Sequence, residues 1–72
     1  MDRMQSAGTS FEELEQAVAA RWPGGEWAVR IRQEDDGAGF FGVVSVRDRA
    51  HLEERGNTYD GVCERLVARV RS

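Results

Sequence analysis

Seventy-two residues and 8.1 kDa leave room for one domain with one modest core. Cys63 is the lone cysteine and His51 the lone histidine, so an intramolecular disulfide is excluded and a usual four-ligand zinc set is not supplied. A net charge of −3 lacks the basic surplus of a general nucleic-acid binder, and no apolar run approaches the ~20 residues of a membrane span. Every basic residue is arginine, which reads first as base composition of the coding sequence. Residues 1–36 hold eight acids and four arginines, residues 37–72 five and six, so the acidity is weighted to the first half. A cytoplasmic setting is the expectation, with no secretory leader and no cofactor.

Residues 1–9 are polar and read as a loose leader, with a single domain over 10–72. Ser10-Phe11-Glu12-Glu13 fits a capping box, in which a serine hydroxyl and a glutamate three residues later satisfy each other's free amides. The helix expected after it puts Phe11, Leu14, Val18 and Trp22 on one stripe with Ala17 beside it. Glu12, Glu13 and Glu15 would then sit in its first turns, where the helix dipole favours negative charge. Pro23-Gly24-Gly25 stops it.

Residues 26–33 alternate, with Trp27, Val29 and Ile31 on one side and Glu26, Ala28, Arg30 and Arg32 on the other. Glu34-Asp35-Asp36-Gly37-Ala38-Gly39 has turn composition, and a second strand is expected over 40–47 as the return arm of a hairpin. Residues 48–57 admit two readings. Asp48 caps a short helix closed by Gly56, or residues 50–55 form a short third strand whose charges protect a sheet edge; the balance favours the strand. Thr58 caps the last helix, where Tyr59, Val62, Cys63, Leu66, Val67 and Val70 recur at helical spacing. Arg65, Arg69 and Arg71 sit in its C-terminal half, where cations are favoured. The expected fold class is α+β: a two-layer sandwich in the order helix, hairpin, third short strand, helix, both helices on one face of a small antiparallel sheet.

Catalysis finds no foothold in these residues. There is no Ser/His/Asp or Cys/His spacing, no phosphate-binding glycine loop and no metal cluster. Cys63 falls inside an apolar stripe, where a thiol behaves as a small hydrophobe, and His51 reads as an exposed loop or edge-strand residue. Glu34, Asp35 and Asp36 are a solvated turn or a negative knob for a basic partner; they lack the ligand spacing of an EF-hand. The sheet face away from the helices is the better candidate. If Trp27, Val29, Ile31, Phe40, Val44 and Val46 face the helices, it gathers Arg30, Arg32, Phe41, Val43, Ser45 and Arg47, a mixture enriched at protein interfaces. The plain alternative is that arginine stems lie across Phe41 and Val43 and cover them.

The run Trp27-Ala28-Val29-Arg30-Ile31, then Gly39-Phe40-Phe41-Gly42-Val43-Val44, then Gly56-Asn57-Thr58 opening a helix, resembles the N-terminal domain of HicB-type antitoxins over residues 26–70. It departs in having a helix first and no Pro-rich segment after the second strand. The order helix, strands, helix also looks like a double-stranded-RNA-binding domain, although Thr58-Tyr59-Asp60-Gly61 stands where such a domain carries basic residues, which argues against RNA binding. The first resemblance implies an antitoxin-like inhibitor of a protein partner. The expected function is therefore a non-catalytic binding module of the phage or mobile-element kind, such as an antitoxin or an anti-CRISPR protein. Its partner-binding residues would be Arg30, Arg32, Glu34, Asp35, Asp36, Phe41, Val43 and Arg47. A nucleic-acid-binding domain using the same arginines, or a structural homodimer, are the alternatives.

Overall fold

The structure, a computed structural model, describes residues 5–35 and 37–72, with side chains from Ser10 onward. It runs α1 (Gln5–Arg21), β1 (Trp27–Gln33), β2 (Phe40–Val46), β3 (Ala50–Gly56) and α2 (Tyr59–Arg71). The strands form one antiparallel sheet in the order β1-β2-β3, with both helices on one side, the expected α+β sandwich. Residues 50–56 are a strand, so the stretch with two readings resolves as the third strand. No described helix is long and apolar enough to cross a membrane.

The periodic stripes became the core. Leu14, Ala17 and Val18 of α1 are buried, as are Val62, Cys63, Leu66, Val67 and Val70 of α2, against Val44 and Val46 of β2. Burying each of the larger of these side chains contributes ~1.5–3 kcal/mol. The aromatics sit at the rim: Phe11 and Phe40 both meet the Tyr59 ring, with centroids 6.4 and 6.0 Å apart. The helices share the sheet unequally. α2 lies over β2 and β3, whereas α1 packs chiefly on α2 and meets the sheet along β1. Gly42 allows the closer approach: a Cβ built there would stand 2.6 Å from Val62 Cγ1 and 2.8 Å from Leu66 Cδ1. A side chain at this position would lift α2 off the sheet.

Helix ends follow local chemistry at three of four places. Thr58 is extended (φ −131°), and its Oγ1 accepts from the Gly61 amide at 2.9 Å, as a threonine N-cap should. At the other end of α2 the Ser72 amide closes on the Arg69 carbonyl. α1 stops at Pro23, after which Gly24 takes a left-handed φ of 77° and the Gly25 amide donates to the Trp22 carbonyl. The start of α1 departs from expectation. The helical backbone reaches back to Gln5, so Ser10 stands inside the helix and is not its cap. Glu12, Glu13 and Glu15 lie beyond the first turn, and that turn contains no acidic residue. The tertiary contacts of α1 outweigh a local capping signal, because a longer helix costs little once its stripe is buried. Of the expected loose leader, residues 1–4 lie outside the described residues and residues 5–9 are helical in backbone.

Candidate protein-binding face

The register fixes which side chains share the uncovered face of the sheet. Arg32 stands opposite Phe41 and Phe41 opposite Arg55; Arg30 opposite Val43 and Val43 opposite Glu53; Ala28 opposite Ser45 and Ser45 opposite His51. Three rungs of three residues result. The face toward the helices takes Trp27, Val29, Ile31, Phe40, Gly42, Val44 and Val46 from the first two strands, as expected.

The most developed rung is Arg32–Phe41–Arg55. Both guanidinium carbons lie over the Phe41 ring, at 5.7 and 5.3 Å from its centroid. Each such contact at an exposed site contributes about 0.5–1 kcal/mol. The acidic turn completes the arrangement: Arg55 Nε is 3.1 Å from Glu34 Oε2, and Arg32 Nη1 is 3.8 Å from Asp35 Oδ1. The turn is shaped to do this. The Glu34 amide donates to the Gly39 carbonyl and the Gly37 amide to the Glu34 carbonyl, with Gly37 at a left-handed φ of 74°. Glu34 and Asp35 therefore lean back toward the arginines of their own sheet. Two guanidinium groups lie over Phe41, yet the ring remains partly exposed between them.

The remaining expected residues distribute as follows. Arg30 and Val43 occupy the middle rung, where Arg30 makes no ion pair with any described residue. Arg47 lies just past the far end of β2, ~20 Å of strand from Phe41, and holds Glu26 Oε1 at 3.0 Å. Asp36 lies outside the described residues. Sequence reasoning missed the contribution of β3: His51, Glu53 and Arg55 complete all three rungs. The period-two pattern of residues 50–56 held that information, but it becomes legible only once the strand is in register with β2.

Cys63 and His51 stand on opposite sides of the sheet. Cys63 has no exposed surface, and burial, aided by Asp60 and Glu64, pushes its thiol up to about 11. His51 is exposed on the outer face, with Nε2 2.8 Å from Glu53 Oε2. The described residues contain no group of three or more His, Cys, Asp or Glu side chains placed to hold a metal ion. What the outer face holds is a flat aromatic ring, planar cations on either side, and next to it an arginine without an ion pair to any described residue. No family model matches this chain, and no curated protein and no solved structure matches it either.

Proposed function

We propose that this chain is a non-catalytic protein-binding module that inhibits its partner by occupying the partner's surface. The observation that carries the reading is the Arg32–Phe41–Arg55 rung on a sheet face that no described element covers. Aromatic and arginine side chains supply most interface hot spots, and here they are already ordered by one another, which lowers the entropy lost on binding. Carboxylates of the partner would take over Arg30 directly and compete with Glu34 and Asp35 for Arg55 and Arg32. The likeness in element order to HicB-type antitoxins, and the small acidic build, fit an inhibitor of the antitoxin or anti-CRISPR kind.

The test is affinity capture of partners with the wild-type chain and with a triple variant, Arg30→Ala, Arg32→Ala and Phe41→Ala. The variant should keep its helical circular dichroism and lose the captured partner. Undiminished capture would remove this face from the function. A preparation that instead retained nucleic acid, released steeply by added salt, would favour binding of phosphates by the same arginines.

A further inference from the structure

The two edges of this sheet are finished differently, and the backbone shows how. In an antiparallel pair, opposed residues alternate between those that exchange both hydrogen bonds and those that point them away. The Glu34 amide bonds the Gly39 carbonyl and the Arg47 amide bonds the Glu26 carbonyl, so these are bonded pairs of the β1–β2 ladder. By alternation Ala28, Arg30 and Arg32 turn their backbone groups toward β2. Trp27, Val29, Ile31 and Gln33 turn theirs outward, to the free edge of β1.

On the opposite edge the same alternation sends the backbone groups of His51, Glu53 and Arg55 outward from β3. That edge is attended. Arg69 reaches down from α2, donating to the Glu53 carbonyl at 3.4 Å and to Glu54 Oε2 at 2.6 Å. At the β1 edge no described residue bonds the outward groups. Burial alone does not separate the two edges, since the inward side chains of β1 (Trp27, Val29, Ile31) and of β3 (Ala50, Leu52, Glu54) are alike half-buried. A shallow groove runs between Trp27 and the Glu12, Glu15 and Ala19 flank of α1. Across the sheet from this apolar row, on the open face, stand Arg30 and Arg32.

We propose that the β1 edge is a strand-docking site, taking an extended acidic segment of a partner protein as a fourth strand. Its alternate side chains would be apolar, beside Trp27, Val29 and Ile31, and carboxylate, beside Arg30 and Arg32. Strand addition of this kind draws affinity from main-chain bonds and specificity from alternate side chains. A second copy of the chain fits worse, because β1 paired with itself puts two arginines from each strand on one face, and like charges across a ladder repel. The proposal rests on the protein-binding reading but concerns the edge of the sheet, not the Phe41 ring.

Amide hydrogen exchange of the full chain, followed by NMR, tests it. The probe is a blocked peptide of alternating valine and aspartate, seven residues long like β1 itself. In the free chain the Trp27, Val29, Ile31 and Gln33 amides should exchange much faster than those of Ala28, Arg30 and Arg32. Saturating peptide should slow the first set by about tenfold or more. A peptide N-methylated on the amides that face β1 should lose this protection, and a valine–arginine peptide should bind about tenfold more weakly or worse. Outward amides already protected in the free chain would overturn the proposal, as would failure of the valine–aspartate peptide to protect them at millimolar concentration. Peptide-induced shifts confined to Phe41 and Val43 would also overturn it, while leaving the partner-binding face intact.

Discussion

The two faces of β2 differ by one residue of offset and by almost everything else. Gly42, Val44 and Val46 face the helices and are buried, and α2 comes so close that Gly42 has no room for a methyl group. Phe41, Val43 and Ser45 face away, and the largest of them is held between Arg32 and Arg55 with the acidic turn behind. On the inner face apolar surface is spent on stability; on the outer face it is left available. In a chain this small, where the net stability is ~3–5 kcal/mol at most, that separation matters. A partner would contact Phe41 without drawing on the core one residue along the strand, provided the two faces do not depend on each other. Independence of the faces is what mutation can break.

The inner face should respond first and most. Leu66 of α2 is fully buried against the sheet, and Leu66→Ala should cost ~2–5 kcal/mol. That is comparable to the whole stability of a domain of this size, so the variant should be largely unfolded at room temperature by circular dichroism. A cooperative melt like that of the wild type would mean that the core is less tightly closed than these contacts indicate. Gly42→Ala comes next. The added methyl meets Val62, Ile31 and Leu66 carbon atoms at 2.6–2.8 Å, and overfilling of this kind costs ~1–3 kcal/mol. Urea titration should show a lower midpoint with an unchanged slope.

Cys63 probes the same face through pH. Burial raises its thiol from 9.0 to about 11 in the folded chain. The folded state therefore holds the proton over a range in which the unfolded chain releases it. The stability contributed is complete below pH 9 and is lost as pH rises toward 11. Cys63→Ala or Cys63→Val should flatten the decline between these values, as read from urea midpoints. Native Cys63 should also react with iodoacetamide far more slowly at pH 8 than the urea-unfolded chain does. Equal rates would place the thiol at the surface.

Much of the inner face was written plainly in the sequence. All of the α2 stripe from Val62 to Val70 was legible because helical spacing survives any tertiary detail, and the β1 and β2 alternation sorted the hairpin side chains into two sets without saying which set is buried. The outer face was half legible. Arg32 beside Phe41 follows from a hairpin register, but Arg55 depends on where β3 aligns. That alignment is set by the turn after Val46, where the Arg49 amide returns to the Val46 carbonyl and Asp48 takes a left-handed φ of 61°. Aspartate tolerates such a φ, but that tolerance does not say at which turn it is used. The alternation of β3 is also disguised, since Glu54 lies on the inward side and is tolerated only because Arg69 of α2 meets it. The early start of α1 was illegible for the opposite reason: a sound capping motif at Ser10 pointed to a boundary that the helix passes through.

The smallest effect on stability sharpens the comparison most. Phe41→Ala removes a ring held by two cation contacts on an exposed face, each worth about 0.5–1 kcal/mol at such sites. Some of that returns, because Arg55 keeps Glu34 at 3.1 Å without the ring, although an exposed pair of this kind is itself worth ~0–1 kcal/mol. The net loss should be near 1 kcal/mol, well below the cost at Leu66, and partner capture should fall far more than the melting temperature does. Phe41→Leu separates the causes. Leucine keeps apolar bulk over the sheet but offers no π face to Arg32 and Arg55, so retained capture would mean that bulk alone recognises the partner. If Phe41→Ala instead destabilised the chain as much as Leu66→Ala, the outer face would belong to the fold, and the separation of recognition from stability along one strand would not hold.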